Sequence, residues 1–342
     1  LWIIPGQLIG GGIYGGAGQA IHSVFPFMGS QWWTIVLAAM ASVIILTGTY
    51  KSLERLMTVL VVTFTFITIA CAVLLQLTEY AITWDEVRNG FSFAFPAGAM
   101  LAALAMYGGT GVGTGEQIVY TYWCVEKGYA RFTGPKDGSD AWVRRAKGWI
   151  KVMQTDVLLT LLLLTCATIP FYMLGAGVLF RQNVQPDGLE TISVLSNMYT
   201  TTLGDWAYWL FIAGAFSVLY STSVSGLGGG ARSFADGMAV LGLIERNDYA
   251  TRVKILRYWA VISPAMTSAA YFYFQNPVWM LTLGHLFGAI KFPLIAGGTI
   301  YLRYKHLDKR IQPSKLTDVV LWGCFFSMIA LMAYMLFTSY FT

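Results

Sequence analysis

Charge is scarce in this sequence of 342 residues: 11% are Asp, Glu, Lys or Arg while 56% are hydrophobic, against about 25% charged in ordinary soluble domains. That shortage excludes a soluble globular domain and implies a chain that crosses a membrane many times. Cysteine is sparse too. Cys71, Cys124, Cys166 and Cys324 lie far apart, mostly inside apolar runs, with no C-x-x-C pair, which excludes a zinc module or a disulfide scaffold. They read as small buried hydrophobes. No G-x-x-x-x-G-K-[ST] and no H-E-x-x-H motif occurs, and no Ser, His and Asp set groups on one face, so neither ATP-driven pumping nor an enzymatic activity is expected. The chain opens on Leu1 with no methionine, no basic n-region and no cleavage site. No signal peptide is read there, and the chain is expected to lack its beginning.

Aromatic side chains are abundant: 12 Trp, 19 Tyr and 21 Phe, as interfacial belts and lipid-facing packing require. At about 20 apolar residues per crossing, about nine spans are expected. They fall at 1–27, 31–49, 55–77, 91–126, 150–178, 204–228, 256–273, 278–304 and 317–341, and make residues 1–342 a single transmembrane domain. The connections between them sort by charge. Of the 22 Lys and Arg, all but Arg88, Arg181 and Lys291 fall in alternate connections, which places those connections in the cytoplasm. The first residue is then cytoplasmic and the C-terminus outside. The net charge of +5 belongs to this topology, and no basic patch interleaved with aromatics points to nucleic acid.

The stretch that organises the rest is Ala99 to Lys127. It starts and ends as an apolar helix, but its middle reads Tyr107-Gly-Gly-Thr-Gly-Val-Gly-Thr-Gly-Glu116-Gln117. Each glycine costs a helix about 1 kcal/mol relative to alanine, so a break is expected. In lipid, freed backbone groups persist only where protein or a water-filled cavity receives them, which makes a broken span the mark of a binding site. Glu116 beside the break is a costly intramembrane carboxylate, suited to a cation or a proton; the alternative is glycine-mediated helix packing with a protonated Glu116.

Other residues are weighed the same way. The glycines of the first span, from Gly10 to Gly18, suit close helix packing; Gln7, Gln19 and His22 beside them suit interhelical hydrogen bonds. Trp142 and Trp149 suggest an amphipathic surface helix at 140–151. Asp156 is either a partner for Lys151 or a neighbour, or a transport residue. The hydroxyls from Tyr220 to Ser225 either line a polar path or bond back to their own helix. His285 and Lys291 lie inside a span between Pro277 and Pro293. Lys291 either snorkels toward the cytoplasm or pairs with Glu116 or Asp156.

The tract Gly108 to Trp123, the segment Glu126 to Pro135, the turn Gly48 to Arg55, Asn276-Pro-Val-Trp and Phe292-Pro293 together resemble the Nramp (natural resistance-associated macrophage protein) family, in particular its divergent bacterial branch. The resemblance covers most of the chain. It implies an all-α polytopic membrane protein with a LeuT-type inverted-repeat fold, here without its first two helices. It also implies alternating-access, proton-linked import of a divalent metal such as manganese or iron, the metal being cargo and no cofactor being required. The nine spans look like the third to eleventh helices of that fold, and the broken one is the sixth. The family's Asp-Pro-Gly-Asn motif has no counterpart, and its Met-Pro-His is replaced near Glu116, Gln117, Ile118 and Val119. The metal-site residues carried over are Thr114, Gly115, Glu116 and Gln117, with Asp156, His285 and Lys291 as coupling or proton candidates. Losing a thioether favours harder ions such as magnesium or manganese. The expected partners are the divalent cation, a bacterial inner-membrane bilayer and the missing N-terminal helices that complete the site. The competing readings are a carrier of the same fold for a small organic solute, and a non-transporting sensor or scaffold.

Overall fold

The computed structural model describes residues 3–48, 50–92, 100–245 and 247–341, and every regular element among them is helical. The long helices are α1 (Ile3–Val24), α2 (Ser30–Thr47), α3 (Tyr50–Leu74), the pair α5 (Met100–Gly109) and α6 (Thr114–Glu126), α8 (Asp140–Leu174), α10 (Ala207–Val240), α11 (Tyr249–Phe274), α12 (Pro277–Lys305) and α13 (Lys315–Phe341). Between them lie α4 (Trp84–Gly90), α7 (Tyr129–Thr133) and α9 (Thr191–Leu203). Segments of α2, α3, α8, α10, α12 and α13 are long and apolar enough to cross a membrane. Helices α1 and α11, of 22 and 26 residues, have the length for about 30 Å but carry more glycine or charge.

Local chemistry sets the boundaries. Helix α2 stops where Gly48 turns left-handed (φ 72°) and returns its amide to the Ile44 carbonyl at 3.1 Å, the glycine termination that a side chain would oppose. Helix α4 starts on a capping box formed by Thr83 and Glu86. The Thr83 amide, then the Arg181 guanidinium, hold the Glu86 carboxyl below its ordinary range. Helix α8 runs through Pro170 and ends in a π turn over Gly175–Leu179.

The chain forms two compact units. The first comprises Leu1–Phe95 and Leu163–Gly284. In it α1 is flanked by α2, α10 and α11, and its glycines are where these helices come close. A Cβ at Gly15 would enter the Tyr271 ring, one at Gly18 the Thr34 hydroxyl and Ser30 carbonyl, and one at Gly12 the Pro277 carbonyl. Such approach substitutes van der Waals contact for the hydrophobic drive that lipid removes. Several buried polar groups here are joined to each other. The Gln19 amide donates to the Gly188 carbonyl at 2.9 Å and the Tyr271 hydroxyl at 3.2 Å, and Ser30 shares that hydroxyl at 3.2 Å. Gln7 bonds Ser263 at 3.2 Å. An apolar core around Leu75, Leu174, Val178, Tyr199 and Phe211 fills the space beside α9 and α10.

The second unit comprises Pro96–Leu162 and His285–Thr342. A small cluster of Trp142, Val143 and Ala146 with Ile311 joins the start of α8 to the turn before α13. Around it Lys136 meets Asp308 at 3.0 Å, and Arg310 donates to the Gly138 carbonyl at 2.7 Å. Arg303, 9% exposed, forms a two-pronged pair with Asp318 at 2.8 and 2.9 Å between α12 and α13.

Several expectations change. The segment 140–151 is no separate surface helix but the first turns of α8. Trp142 is buried among protein side chains, and Trp149 stacks on Tyr129 and Phe132; Asp140 opens the helix, which continues through Gly148 into the apolar run. Cys71 and Cys124 are buried, but Cys166 and Cys324 lie on exposed helix faces. Of the hydroxyls from Tyr220 to Ser225, those of Ser221, Thr222, Ser223 and Ser225 each bond a carbonyl of their own helix, while the buried Tyr220 hydroxyl has no hydrogen-bond partner among the described residues. The His22 Nδ1–H donates to the Met28 carbonyl at 2.8 Å, closing the turn between α1 and α2. Leu1 and Trp2 of the expected first span, Thr49 of the turn after α2, residues 93–99 of the expected broken span, and Arg246 lie outside the described residues.

Candidate ion site at the broken helix

The interruption falls where the glycines are. Helix α5 ends at Gly109, and α6 begins at Thr114 with Gly113 as its extended N-terminal neighbour (φ −65°, ψ 168°). Between them Gly111 is left-handed at φ 82°, a conformation that a side chain resists. Amides at the start of α6 lack partners within the helix, as at any helix N-terminus. The last bond of α5 runs from Thr110 to the Met106 carbonyl at 2.7 Å, and α6 resumes with Gln117 to Gly113 at 3.2 Å.

Glycine also decides what lies against the break. A Cβ on Gly108 would strike the His285 carbonyl and the Ala289 amide, and one on Gly109 would strike the His285 ring. On α12, a Cβ at Gly288 would sit 3.3 Å from the Gly108 carbonyl and 4.0 Å from the Thr114 hydroxyl. Tyr107 packs on Phe292, ring centroids 5.3 Å apart. The segment from His285 to Phe292 is therefore in backbone contact with the end of α5.

Thr114 is buried at 3% exposure, while Glu116 and Gln117 are exposed. The Glu116 carboxylate folds back over Gly113, where the positive end of the α6 dipole favours it. The Gln117 amide donates to the unwound Val112 carbonyl at 3.2 Å, which leaves the Gln117 carbonyl available to a cation. Glu116 acts electrostatically on both His285 and Lys291. Four of the residues expected at the site, Glu116, Gln117, His285 and Lys291, thus belong to one neighbourhood, with Thr114 and Gly115 on the adjoining backbone.

Asp156 is placed differently. It accepts from the Tyr120 hydroxyl at 3.0 Å and pairs with Lys127 at 3.7 Å, so its partners are on the second half of α6 and not at Lys151. Tyr120 went unnoticed in the sequence, although it lies four residues after Glu116 on the same helix face. Gly288 was missed as well; a glycine one turn after an intramembrane histidine was the available signal.

Among the described residues no three His, Cys, Asp or Glu side chains come together as a metal cluster. A cation here would be met by one carboxylate, an amide oxygen and backbone carbonyls, a donor set of hard oxygens. A hollow of about 450 Å³ lined by Ile69, Val73, Gln76, Pro170 and Met173 is apolar and offers no such chemistry.

A helical membrane protein with an unwound span and an acidic group beside freed carbonyls is a polytopic transporter. The chain belongs to the natural resistance-associated macrophage protein-like family, whose sequence profile matches residues 11–338. The family transports divalent metal ions and its members are not enzymes; the chain is a multi-pass membrane protein with a metal ion as cargo. No curated protein matches it.

Proposed function

We propose that the metal ion binds at the start of α6, with Glu116 as the anionic ligand, the Gln117 carbonyl as a neutral one, and backbone oxygen near Thr114 and Gly115 completing the α6 side. The observation that carries this reading is the unwound stretch 110–113 with Glu116 and Gln117 at its edge, facing His285 and Lys291. The remaining coordination positions fall to water and to helices that precede α1 in the resembled family. Oxygen donors without thiolate or thioether favour magnesium or manganese over softer ions, with iron(II) third. No resident cofactor is needed.

The protein works by alternating access, as one transmembrane domain of nine crossings in a bacterial inner membrane. The end of α1 nearest residue 3 faces the cytoplasm and α13 ends outside, a topology supported by the one-sided distribution of Lys and Arg. His285 and Lys291 answer to charge at Glu116 and set the coupling to protons or to charge. Asp156 fixes the second half of α6 against α8.

Uptake of Mn²⁺, Mg²⁺ and Fe²⁺ into proteoliposomes holding the protein or its Glu116→Gln variant tests the assignment. Glu116→Gln is expected to weaken metal affinity by at least about tenfold, the low end for loss of even an outer-shell partner. Equal uptake by both proteins removes Glu116 from the site.

A further inference from the structure

Lys291 is the midpoint of α12, which runs from Pro277 to Lys305. With α12 centred in a hydrocarbon core about 30 Å thick, Lys291 lies about 15 Å from either edge, beyond the reach of a lysine side chain. Snorkelling to a membrane surface is therefore excluded by distance, and the ammonium needs a partner within the membrane. Its neighbours fix which side of the helix that partner occupies. Gly288, one turn before Lys291, lies against the Gly108 carbonyl and the Thr114 hydroxyl, and Phe292, the next residue, packs on Tyr107. Lys291 follows Gly288 by one turn and lies about 60° around α12 from it, so it borders the face that meets the broken helix, and Glu116 is the carboxylate whose charge reaches it. Asp156, the other carboxylate considered, is held by Tyr120 and Lys127.

We propose that Lys291 is a tethered counter-cation: it neutralises Glu116 while the carrier is empty, is displaced when a divalent ion arrives, and returns to the carboxylate as the ion leaves. The inference rests on the assignment of Glu116 as a metal ligand. An empty site with an unpaired carboxylate would be costly in the membrane interior, and a lysine in place removes that cost without a bound ion. The same charge opposes the metal, so Lys291 lowers affinity and speeds release. His285, whose ring lies against Gly109, is the other basic group in the neighbourhood.

The test is Mn²⁺ binding to the purified protein and Mn²⁺ uptake into proteoliposomes, measured for Lys291→Gln, Lys291→Arg and Glu116→Gln. Lys291→Gln is expected to bind Mn²⁺ about tenfold more tightly, the lower end of coupling between close charge pairs, while its maximal uptake rate falls. A merely structural lysine would not move KM and kcat downward together. Lys291→Arg, which keeps the charge, is expected to stay near the parent in both. On a Glu116→Gln background the affinity gain from Lys291→Gln should shrink severalfold. Weaker or unchanged Mn²⁺ binding by Lys291→Gln overturns the proposal, and Lys291→Met gives the same reading should the glutamine variant not fold. If Glu116→Gln still binds Mn²⁺ as the parent does, the site assignment itself fails. If Glu116→Gln loses binding and Lys291→Gln behaves as the parent, only the counter-cation fails.

Discussion

The two compact units use polar groups in opposite ways. In the first, Gln19, Ser30 and Tyr271 satisfy one another, Ser217, Ser221, Thr222, Ser223 and Ser225 of α10 bond their own backbone, and half of the α10 span is buried in protein, while the Tyr220, Ser233 and Ser268 hydroxyls are buried without a hydrogen-bond partner among the described residues. In the second, none of the α13 span is buried, Glu116 and Gln117 are exposed, and carbonyls around Val112 are freed from helix bonding. A unit most of whose polar groups are already spoken for can serve as frame. One that holds an acid, a lysine and unwound backbone in reserve can exchange those partners for an ion.

The sharpest way to break this contrast is to fill a glycine in each unit. Gly108→Val would drive a side chain into the backbone of His285 and Ala289, neither of which can rotate away, and should cost about 3 kcal/mol or more and abolish Mn²⁺ uptake. Gly15→Val meets the Tyr271 ring instead and should cost about 1–3 kcal/mol of thermal stability, with the Mn²⁺ affinity of the folded protein unchanged. A Gly15→Val protein with altered affinity would end the division into frame and site. Tyr271→Phe is milder: it takes from Ser30 its Tyr271 partner and from Gln19 one of its bonds, the one to Gly188 remaining, and should lower stability by about 1–3 kcal/mol, again without touching metal binding.

The smallest effect concerns the exposed turn before α13. Arg310, through its side chain and then its amide, and Lys136 hold the Asp308 carboxyl well below the usual carboxylate range. A depressed folded-state pKa means that its contribution is present above the unfolded value, near pH 4, and is lost as pH falls below it. Asp308→Asn should therefore flatten the acid side of a melting-temperature profile below about pH 4 and leave neutral-pH uptake as it was. A variant whose profile still tracks that of the parent would show that the turn is not held by charge.

Much of the fold was legible because lipid imposes simple constraints. Apolar length located α2, α3, α8, α10, α12 and α13, and the glycine tract located the break between α5 and α6. What stayed hidden depends on three-dimensional neighbours. Pattern alone could not say that 140–151 continues into α8, since an amphipathic start looks the same on a surface helix and on the extension of a span. Nor could it choose between partners for Asp156, because a salt bridge to Lys127 requires knowing that α6 lies beside α8. Lys291 was another case: its position at the middle of α12, one turn after Gly288, depends on helix bounds and packing that the pattern does not carry.

The small number of protein oxygens at the head of α6 has a kinetic corollary. A dication that meets one carboxylate and a few carbonyls on α6 keeps its own water at whatever positions no other helix fills, and magnesium surrenders that water reluctantly. Passage would then be timed by water exchange on the ion as much as by movement of helices, and ions of equal charge would be sorted by how readily they shed solvent.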